Sequence, residues 1–366
     1  MRRLRVGILF GGKSGEHEVS VASASSLLAA LDPERYEAVP IGISREGSWQ
    51  VGQTPEQLAA GGPKKELSGR EEAVVDPTHH GIMRVDGAGA MDLHDSAIDV
   101  VFPVLHGPNG EDGTVQGLLV TAGIPYVGSE VLGSALAMDK WRMKAVFAQW
   151  GLPNVPYVGF RAYDWVHDRD ELITRLERKL AYPVFVKPSN MGSSVGISKA
   201  RTSEELAHGV DVAIRYDSTI IVEQGIEGRE IEVGVLGNDD PLVSVPGEIK
   251  PLHDFYDYRS KYTEGLAELI IPACLGDDQV KRLNELARGA FLAVDAAGLA
   301  RVDFFIRATD GEILLNEINT MPGFTATSMY PKLWEATGVP YPELIDRLVR
   351  LALERFDDRQ RRRVTL

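Results

Sequence analysis

The sequence predicts a mixed α/β protein with a doubly wound N-terminal unit, a small central unit and a C-terminal unit of α+β character. Three observations lead there. Short apolar runs alternate with helical stretches through the first half, the rhythm of open α/β sheets. The last third concentrates strands of alternating polar and apolar residues around one long helix. The 366 residues suffice for two or three domains. The expected boundaries are 1–128 (with an elaboration over 44–97), 129–226 and 227–366.

The first unit opens with a buried strand over 6–10, a glycine-rich turn and a helix over 18–31. Further strands are expected over 39–43 and 98–105, with a short fourth over 124–127. Between 44 and 97 the pattern fades into short strands and turns. His79 and His80 sit there side by side. Adjacent strand residues point to opposite faces, so a solvated loop fits them better than a shared metal. Gly7-Ile8-Leu9-Phe10-Gly11-Gly12-Lys13-Ser14 satisfies the P-loop pattern letter for letter. The mechanism argues against it, because Ile8, Leu9 and Phe10 continue a buried strand and cannot wrap an anion. After the turn come Glu16 and Glu18. Helix-start carboxylates favour the dipole, which is the bland account, but a carboxylate at a strand's C-terminal end also suits an ammonium ligand.

A helix over 138–150 carries Lys140 and stops at Gly151 and Pro153. The central unit follows, with a helix over 168–180 and a strand over 184–187. Next come a glycine-serine turn, a helix ending near 216 with Thr202 and Glu205 as a capping box, and a strand over 220–223. The third unit holds strands over 231–236, 243–249 and 269–271, a helix over 277–297, and two strands joined by a turn. A last helix spans 341–356, and the arginine-rich run beyond it reads as a solvated tail.

Composition bounds function. The charge sum is −14, so nucleic acid is repelled and no nucleic-acid partner is expected. Cys274 stands alone, which excludes an intramolecular disulfide and cysteine zinc clusters; a buried inert thiol is expected. No apolar run approaches the roughly 20 residues that span a bilayer, and the N-terminal apolar stretch is too short for an export signal. A cytoplasmic protein without a membrane partner is the expectation.

The chemistry concentrates near the C-terminus. Arg301 and Asp303 share one strand face, as do Glu317 and Asn319 on the next strand. A three-residue loop with Gly311 left-handed pairs Asp303 with Glu317, whereas a two-residue Asp310-Gly311 turn pairs Asp303 with Ile318. The former brings two carboxylates and an amide together, which is unfavourable unless a cation lies between. Hard oxygen ligands select Mg²⁺ bridged to phosphates. Lys187 closes an apolar strand and has reason to meet an anion. Gly192-Ser193-Ser194-Val195-Gly196 suits a phosphate flap, although alone it is equally an ordinary turn. Glu223 ends a strand where it can hold a nucleotide's polar edge.

Taken together, the chain resembles the D-alanine–D-alanine ligases of the ATP-grasp superfamily. The resemblance rests on Gly11 to Ser20, on Leu105-His106-Gly107-Pro108-Asn109-Gly110-Glu111-Asp112-Gly113, and on Lys187-Pro188 with Gly192 to Gly196. Phe255-Tyr256-Asp257-Tyr258 with Lys261-Tyr262, and Asn316 to Gly323, complete it. It implies that Lys140 and Lys187 hold the phosphates of ATP, with Ser193 and Ser194 on the flap, and that Glu223 and Glu230 hold adenine and ribose. Asp303, Glu317 and Asn319 would bind two Mg²⁺, for which Mn²⁺ substitutes. The first D-alanine would place its ammonium near Glu16, beside His106. The second would place its carboxylate near Ser328, with Lys261 between substrate and γ-phosphate. Ser193, Tyr262 and Glu16 would form a latch. Arg301 and the Gly323 N–H would stabilise the tetrahedral oxyanion, a contact worth roughly 3–4 kcal/mol per donor. Relatives form homodimers through the first domain.

Lys261-Tyr262 points to D-alanine as acceptor rather than D-lactate, while D-serine differs by one hydroxyl that a small pocket rejects poorly. Outside the ligases, a nucleotide-binding regulator without catalysis is disfavoured by the intact Arg301, Asp303, Glu317 and Asn319 set. A P-loop kinase rests on Gly7 to Ser14 alone.

Overall fold

Val6, Ile8, Leu9 and Phe10 are fully buried in strand β1 (Leu4–Gly11), an inner strand of the first sheet. The computed structural model describes residues 2–60, 72–76, 81–85, 98–251 and 267–362. Helix α1 (His17–Ala30) follows β1, and β2 (Tyr36–Ile43) returns parallel to it. The expected elaboration contains β3 (Trp49–Val51), α2 (Pro55–Ala59), β4 (Glu72–Asp76) and β5 (Gly81–Val85). Its strands extend the same sheet antiparallel, beyond β2. His79 and His80 lie outside the described residues. Strand β6 (Val100–Pro103) closes the other side of β1, again in parallel. The strand expected over 124–127 is reduced to one parallel bridge, Val101 to Tyr126. Pro125 has no N–H to give, so pairing cannot propagate there.

Helices α3 (Thr114–Thr121), α4 (Val131–Met138) and α5 (Lys140–Gln149) lead to the second sheet. The helix expected over 138–150 is α5, which begins only at Lys140, while Met138 ends the separate α4, the two meeting at Asp139. Its extended backbone breaks the run, and its carboxylate caps α5 by accepting the Arg142 N–H at 3.1 Å. Lys140 is thereby the first residue of a helix.

The second sheet is antiparallel, in the order β7 (Tyr157–Arg161), β10 (Thr219–Gln224), β8 (Val184–Pro188) and β9 (Ser198–Ala200). Helices α6 (Ala162–His167), α7 (Arg169–Lys179) and α8 (Ser203–Ala213) complete this unit, and its core of Phe160, Trp165, Leu172, Leu176, Val186, Leu206 and Val210 is its own. The Thr202 hydroxyl caps α8 as expected, at 3.2 Å from the Glu205 N–H. The box is not closed, because Glu205 accepts from Arg201 N–H instead.

The third sheet is built from β11 (Gly228–Gly237), β12 (Leu242–Val243), β13 (Gly247–Pro251), β14 (Ala267–Ile270), β15 (Gly298–Arg307) and β16 (Ile313–Asn319). The order is β14-β13-β11-β15-β16, with β12 on β11. Helix α9 (Asp277–Ala293) packs Leu283, Leu286, Ala290 and Phe291 onto it. Asp303 does pair with Glu317, as the loop argument required, but by a different route. The Arg307 N–H bonds to the Glu312 carbonyl, so the loop has four residues, 308–311. Gly311 is left-handed, with φ +75°. That longer loop pairs Phe304 with Leu315, and a bulge at Asn316 then restores Asp303 to Glu317.

Helices α10 (Met329–Ala336) and α11 (Tyr341–Arg361) finish the chain. The run expected as a solvated tail is mostly exposed, but it continues α11 to Arg361 and does not leave the helix. Arg355 reaches the Tyr126 carbonyl at 3.0 Å, and Arg359 pairs with Glu130 at 3.3 Å. These cations near the C-terminus of a helix have partners and a favourable dipole. The same helix buries Leu344, Leu348 and Val349 against Val6, Ile8 and Val100, so the first sheet and the C-terminal helices share one core. Cys274 is exposed, contrary to expectation. It follows Ile270 on an irregular run whose neighbour Ala273 takes the buried position instead.

Candidate active site

The registers of β11, β15 and β16 put three carboxylates in one row across the third sheet. Glu232 lies opposite Asp303, and Asp303 opposite Glu317. Each has a cation. Arg301 makes a bidentate contact with Asp303, Nε and Nη2 each donating at 2.8 Å, and its Nε lies 3.1 Å from Glu232 Oε2. Lys140 Nζ lies 3.4 Å from Glu317 Oε2. Burial disfavours the Arg301 charge, but Asp303 and Glu232 outweigh it and push its pKa well up. Asn319 Oδ1 accepts the Met321 N–H at 2.9 Å.

Among the described residues no three His, Cys, Asp or Glu side chains converge as a metal cage. The set here is two carboxylates and an amide, all oxygen donors, and that chemistry fits magnesium shared with phosphates. Asp303 is tied behind Arg301 and does not line the cleft, whereas Glu317 and Asn319 do.

Lysines converge from two elements. Lys187 alternates with buried Val184 and Val186 on β8, so it faces away from the core of its own sheet. Its Nζ donates to Glu223 Oε2 at 2.6 Å. Lys144, one turn after Lys140 on α5, is fully buried and lies 3.1 Å from Glu223 Oε1. Burial works against all three charges. The two lysines win at Glu223, whose pKa falls, and Glu223 wins at Lys187, whose pKa rises. At Lys144 burial wins and the pKa falls. Lys140 also donates to the Met191 carbonyl at 3.1 Å, linking the start of α5 to the glycine-serine turn.

At the far end, Glu16 ends the turn after β1. Glu16 and Glu18 do stand at the helix start, where the dipole favours them, but the Glu16 side chain makes no capping bond and accepts from Ser193 Oγ. Ser193 and Ser194 both sit in the left-handed region, at φ +48° and +60°, a conformation that costs energy outside glycine. Two glycines make room. A Cβ on Gly107 would lie 2.6 Å from Glu16 Oε2, and one on Gly192 2.7 Å. His106 is buried; Nδ1 donates to the Met321 carbonyl at 2.9 Å, and burial holds its pKa below the ordinary value against the pull of Glu16. Glu111 accepts the Gly107 N–H at 2.7 Å, and burial with Glu16 nearby raises its pKa to about 8. Gly323 faces Ser328, whose Oγ would lie 3.3 Å from an added Cβ, and Thr325 shares a hydrogen bond with Ser328 at 2.7 Å.

One cleft of about 1360 Å³ is lined by Glu16, His106, Lys140, Lys187, Ser193, Ser194, Glu223, Glu230, Arg301, Glu317, Asn319, Gly323 and Ser328. Lys261 and Tyr262 lie outside the described residues. Lys13 is exposed and not among the lining residues, and β1 buries the would-be spacer, so the P-loop pattern is a decoy. Sequence reasoning gave no role to Lys144, Glu232 or Glu111. The spacing of Lys140 and Lys144 on one helix face, and of Glu230 and Glu232 on one strand face, was the available signal for the first two.

Two family models match, "D-ala D-ala ligase N-terminus" over residues 5–129 and "D-ala D-ala ligase C-terminus" over residues 146–350. The D-alanine--D-alanine ligase of Natranaerobius thermophilus is 48% identical, covering 99% of this chain and 98% of that one. That of Geobacillus kaustophilus is 49% identical, covering 98% and 97%. Among solved structures, the D-alanine-D-alanine ligase from Coxiella burnetii superposes with a TM-score of 0.85 at 36% identity, covering 98% and 97%. The VanG D-Ala:D-Ser ligase from Enterococcus faecalis does so with a TM-score of 0.84 at 34% identity, covering 96% and 100%.

Proposed function

This chain belongs to the D-alanine–D-alanine ligase family, and from that membership we propose how its residues divide the work of joining two D-alanines, at the expense of ATP, into the dipeptide used for peptidoglycan. The observation that carries the assignment is the single cleft with Lys187, Lys140 and the carboxylate row at one end and Glu16, His106 and Ser328 at the other.

A carboxylate cannot acylate an amine without a leaving group. Lys140 and Lys187 hold the phosphates of ATP, with the Ser193 and Ser194 turn over them, while Glu223 and Glu230 take the adenine and ribose. Magnesium ions held by Asp303, Glu317 and Asn319, or manganese in their place, would neutralise charge on the phosphoryl group. Glu16 and His106 receive the first D-alanine, whose carboxylate oxygen attacks the γ-phosphorus as ADP leaves. Ser328 receives the carboxylate of the second. Its amine attacks the acyl carbon, phosphate leaves with the bond electrons, and Arg301 with the Gly323 N–H stabilises the oxyanion between. Acyl phosphates hydrolyse, so Lys261 and Tyr262 are assigned to a lid that excludes water, latched through Ser193 and Glu16. Three units, 1–128, 129–226 and 227–366, form the working division, supported by the separate core of the second sheet. Among the described residues no helix is long and apolar enough to cross a membrane; a cytoplasmic homodimer completes the proposal.

The test is purified protein with ATP, Mg²⁺ and D-alanine. Phosphate release matched by D-alanyl-D-alanine is expected, and no phosphate release overturns the assignment. With D-serine offered alongside, analysis of the mixed products separates a D-alanine acceptor site from one that also takes D-serine.

A further inference from the structure

Glu223 is almost wholly buried, and each of its oxygens faces a different lysine. Lys187, on Oε2 at 2.6 Å, lines the cleft and keeps 13% of its side chain exposed. Lys144, on Oε1 at 3.1 Å, has no exposed surface and is not a lining residue. Its ammonium is fixed from a second side, donating to the carbonyl of the bulge residue Asn316 at 2.6 Å. A buried carboxylate with one counter-ion holds that ion tightly, because releasing it strands a charge in a dry site. With two, one can depart.

We propose that Lys144 is a positioning residue, the resident counter-ion of Glu223 that frees Lys187 to turn from Glu223 to the phosphates of ATP. The proposal rests on the assignment of Lys187 and Glu223 to the nucleotide. Lys144 is tethered to Asn316 and cannot reach the cleft; Lys187 has the exposure and the free stem to do so. Without Lys144, Glu223 would hold Lys187, and phosphate capture would compete with a buried ion pair. Without the Glu223 charge, Lys144 would have nothing to neutralise.

That dependence is read from a double-mutant cycle in the full-length enzyme: wild type, Lys144→Met, Glu223→Gln and the pair, with kcat and KM for ATP at saturating D-alanine and a thermal melt for each. Lys144→Met is expected to lower kcat/KM for ATP by about tenfold or more in the wild-type background and by less than about twofold beside Glu223→Gln. A merely structural lysine would lower it equally in both backgrounds, and that result overturns the proposal. Should Lys144→Met alone not fold, the pair against Glu223→Gln decides, since both charges then leave together. Unequal kcat/KM there overturns the proposal and equal values support it. Lys187→Ala is the control. If it leaves kcat/KM for ATP unchanged, the nucleotide assignment has failed and the proposal with it; if it lowers kcat/KM and the cycle is additive, the Lys144 proposal alone has failed.

Discussion

The two ends of the cleft are built differently. At the proposed nucleotide end the charges ride on regular elements: Lys187 on β8, Glu223 on β10, Arg301 and Asp303 on β15, Glu317 and Asn319 on β16, Lys140 and Lys144 on α5. Most are paired to a fixed neighbour, either within one sheet or between α5 and a strand. At the substrate end the groups sit on turns: Glu16 after β1, His106 and Glu111 between β6 and α3, Ser193 between β8 and β9, Gly323 and Ser328 before α10. Those turns are held by glycines, positive φ angles and side-chain-to-backbone bonds. Strand-borne charge gives a stiff electrostatic platform, which suits the triphosphate proposed for it. Loop-borne groups give shape, which a small amino acid with one methyl group requires.

The largest effect is expected where the platform meets phosphate. Lys187→Ala should reduce turnover to below about a thousandth, since it removes charge at the transferring group and leaves Glu223 with one lysine. Lys13→Ala should change kcat less than about twofold, because Lys13 is exposed away from the cleft. Steady-state kinetics at saturating ATP compares them; the reverse order would move the phosphate site to the first turn.

Next comes Arg301. Lysine there keeps a positive charge but not the planar fork that spans both Asp303 oxygens. Arg301→Lys should cost about a hundredfold or more in kcat with little change in KM for ATP, the pattern of a group used in the transition state. A raised KM with kcat intact would instead make Arg301 part of the ground-state platform.

The contrast between the ends also explains what could be read from residues alone. Period-two alternation reveals strand faces, so Arg301, Asp303, Glu317 and Asn319 were legible as one constellation before any resemblance was named. Even there the loop length was wrong by one, and only the Asn316 bulge, which no local propensity announces, made the register come out as required. Same-face spacing marks Glu232 beside Glu230 and Lys144 beside Lys140, but their partners come from which elements pack together, a tertiary property. On the turns, periodicity has nothing to say. Glu16, His106 and Ser328 were reached through motifs, and the Glu16 side chain, at a helix start, makes no capping bond because its carboxylate faces Ser193 beside another sheet. The reduction of 124–127 to a bridge turned on the local Pro125, whereas the run beyond 356, continued as α11, finds its partner for Arg359 at Glu130, distant in sequence.

A smaller effect is expected from loosening one turn. Ser193→Ala removes the hydroxyl that Glu16 accepts from, without touching the strands. A hydrogen bond to a charged group is worth about 1.5–3 kcal/mol, so kcat/KM for D-alanine should fall by roughly tenfold to a hundredfold while KM for ATP changes little. Equal losses for both substrates would mean that the Ser193 hydroxyl acts through the flap over the phosphates and not through Glu16.

The smallest effect separates the ends by pH. Glu111 ordinarily titrates near 4.5, and in the fold burial and the neighbouring Glu16 raise it to about 8. Between those values the folded chain holds a proton that the unfolded chain has released, so this group makes stability fall as pH rises. Glu111→Gln removes the titration, and its amide oxygen still accepts the Gly107 N–H. The variant should melt with wild type near pH 5, where Glu111 is neutral in the fold, and a few degrees above it near pH 8.5, where the wild-type carboxylate is ionised beside Glu16. Thermal melts at both pH values measure the gap. A constant gap would show that Glu111 does not titrate there, and that the substrate end holds its carboxylates by the same charge pairing as the platform.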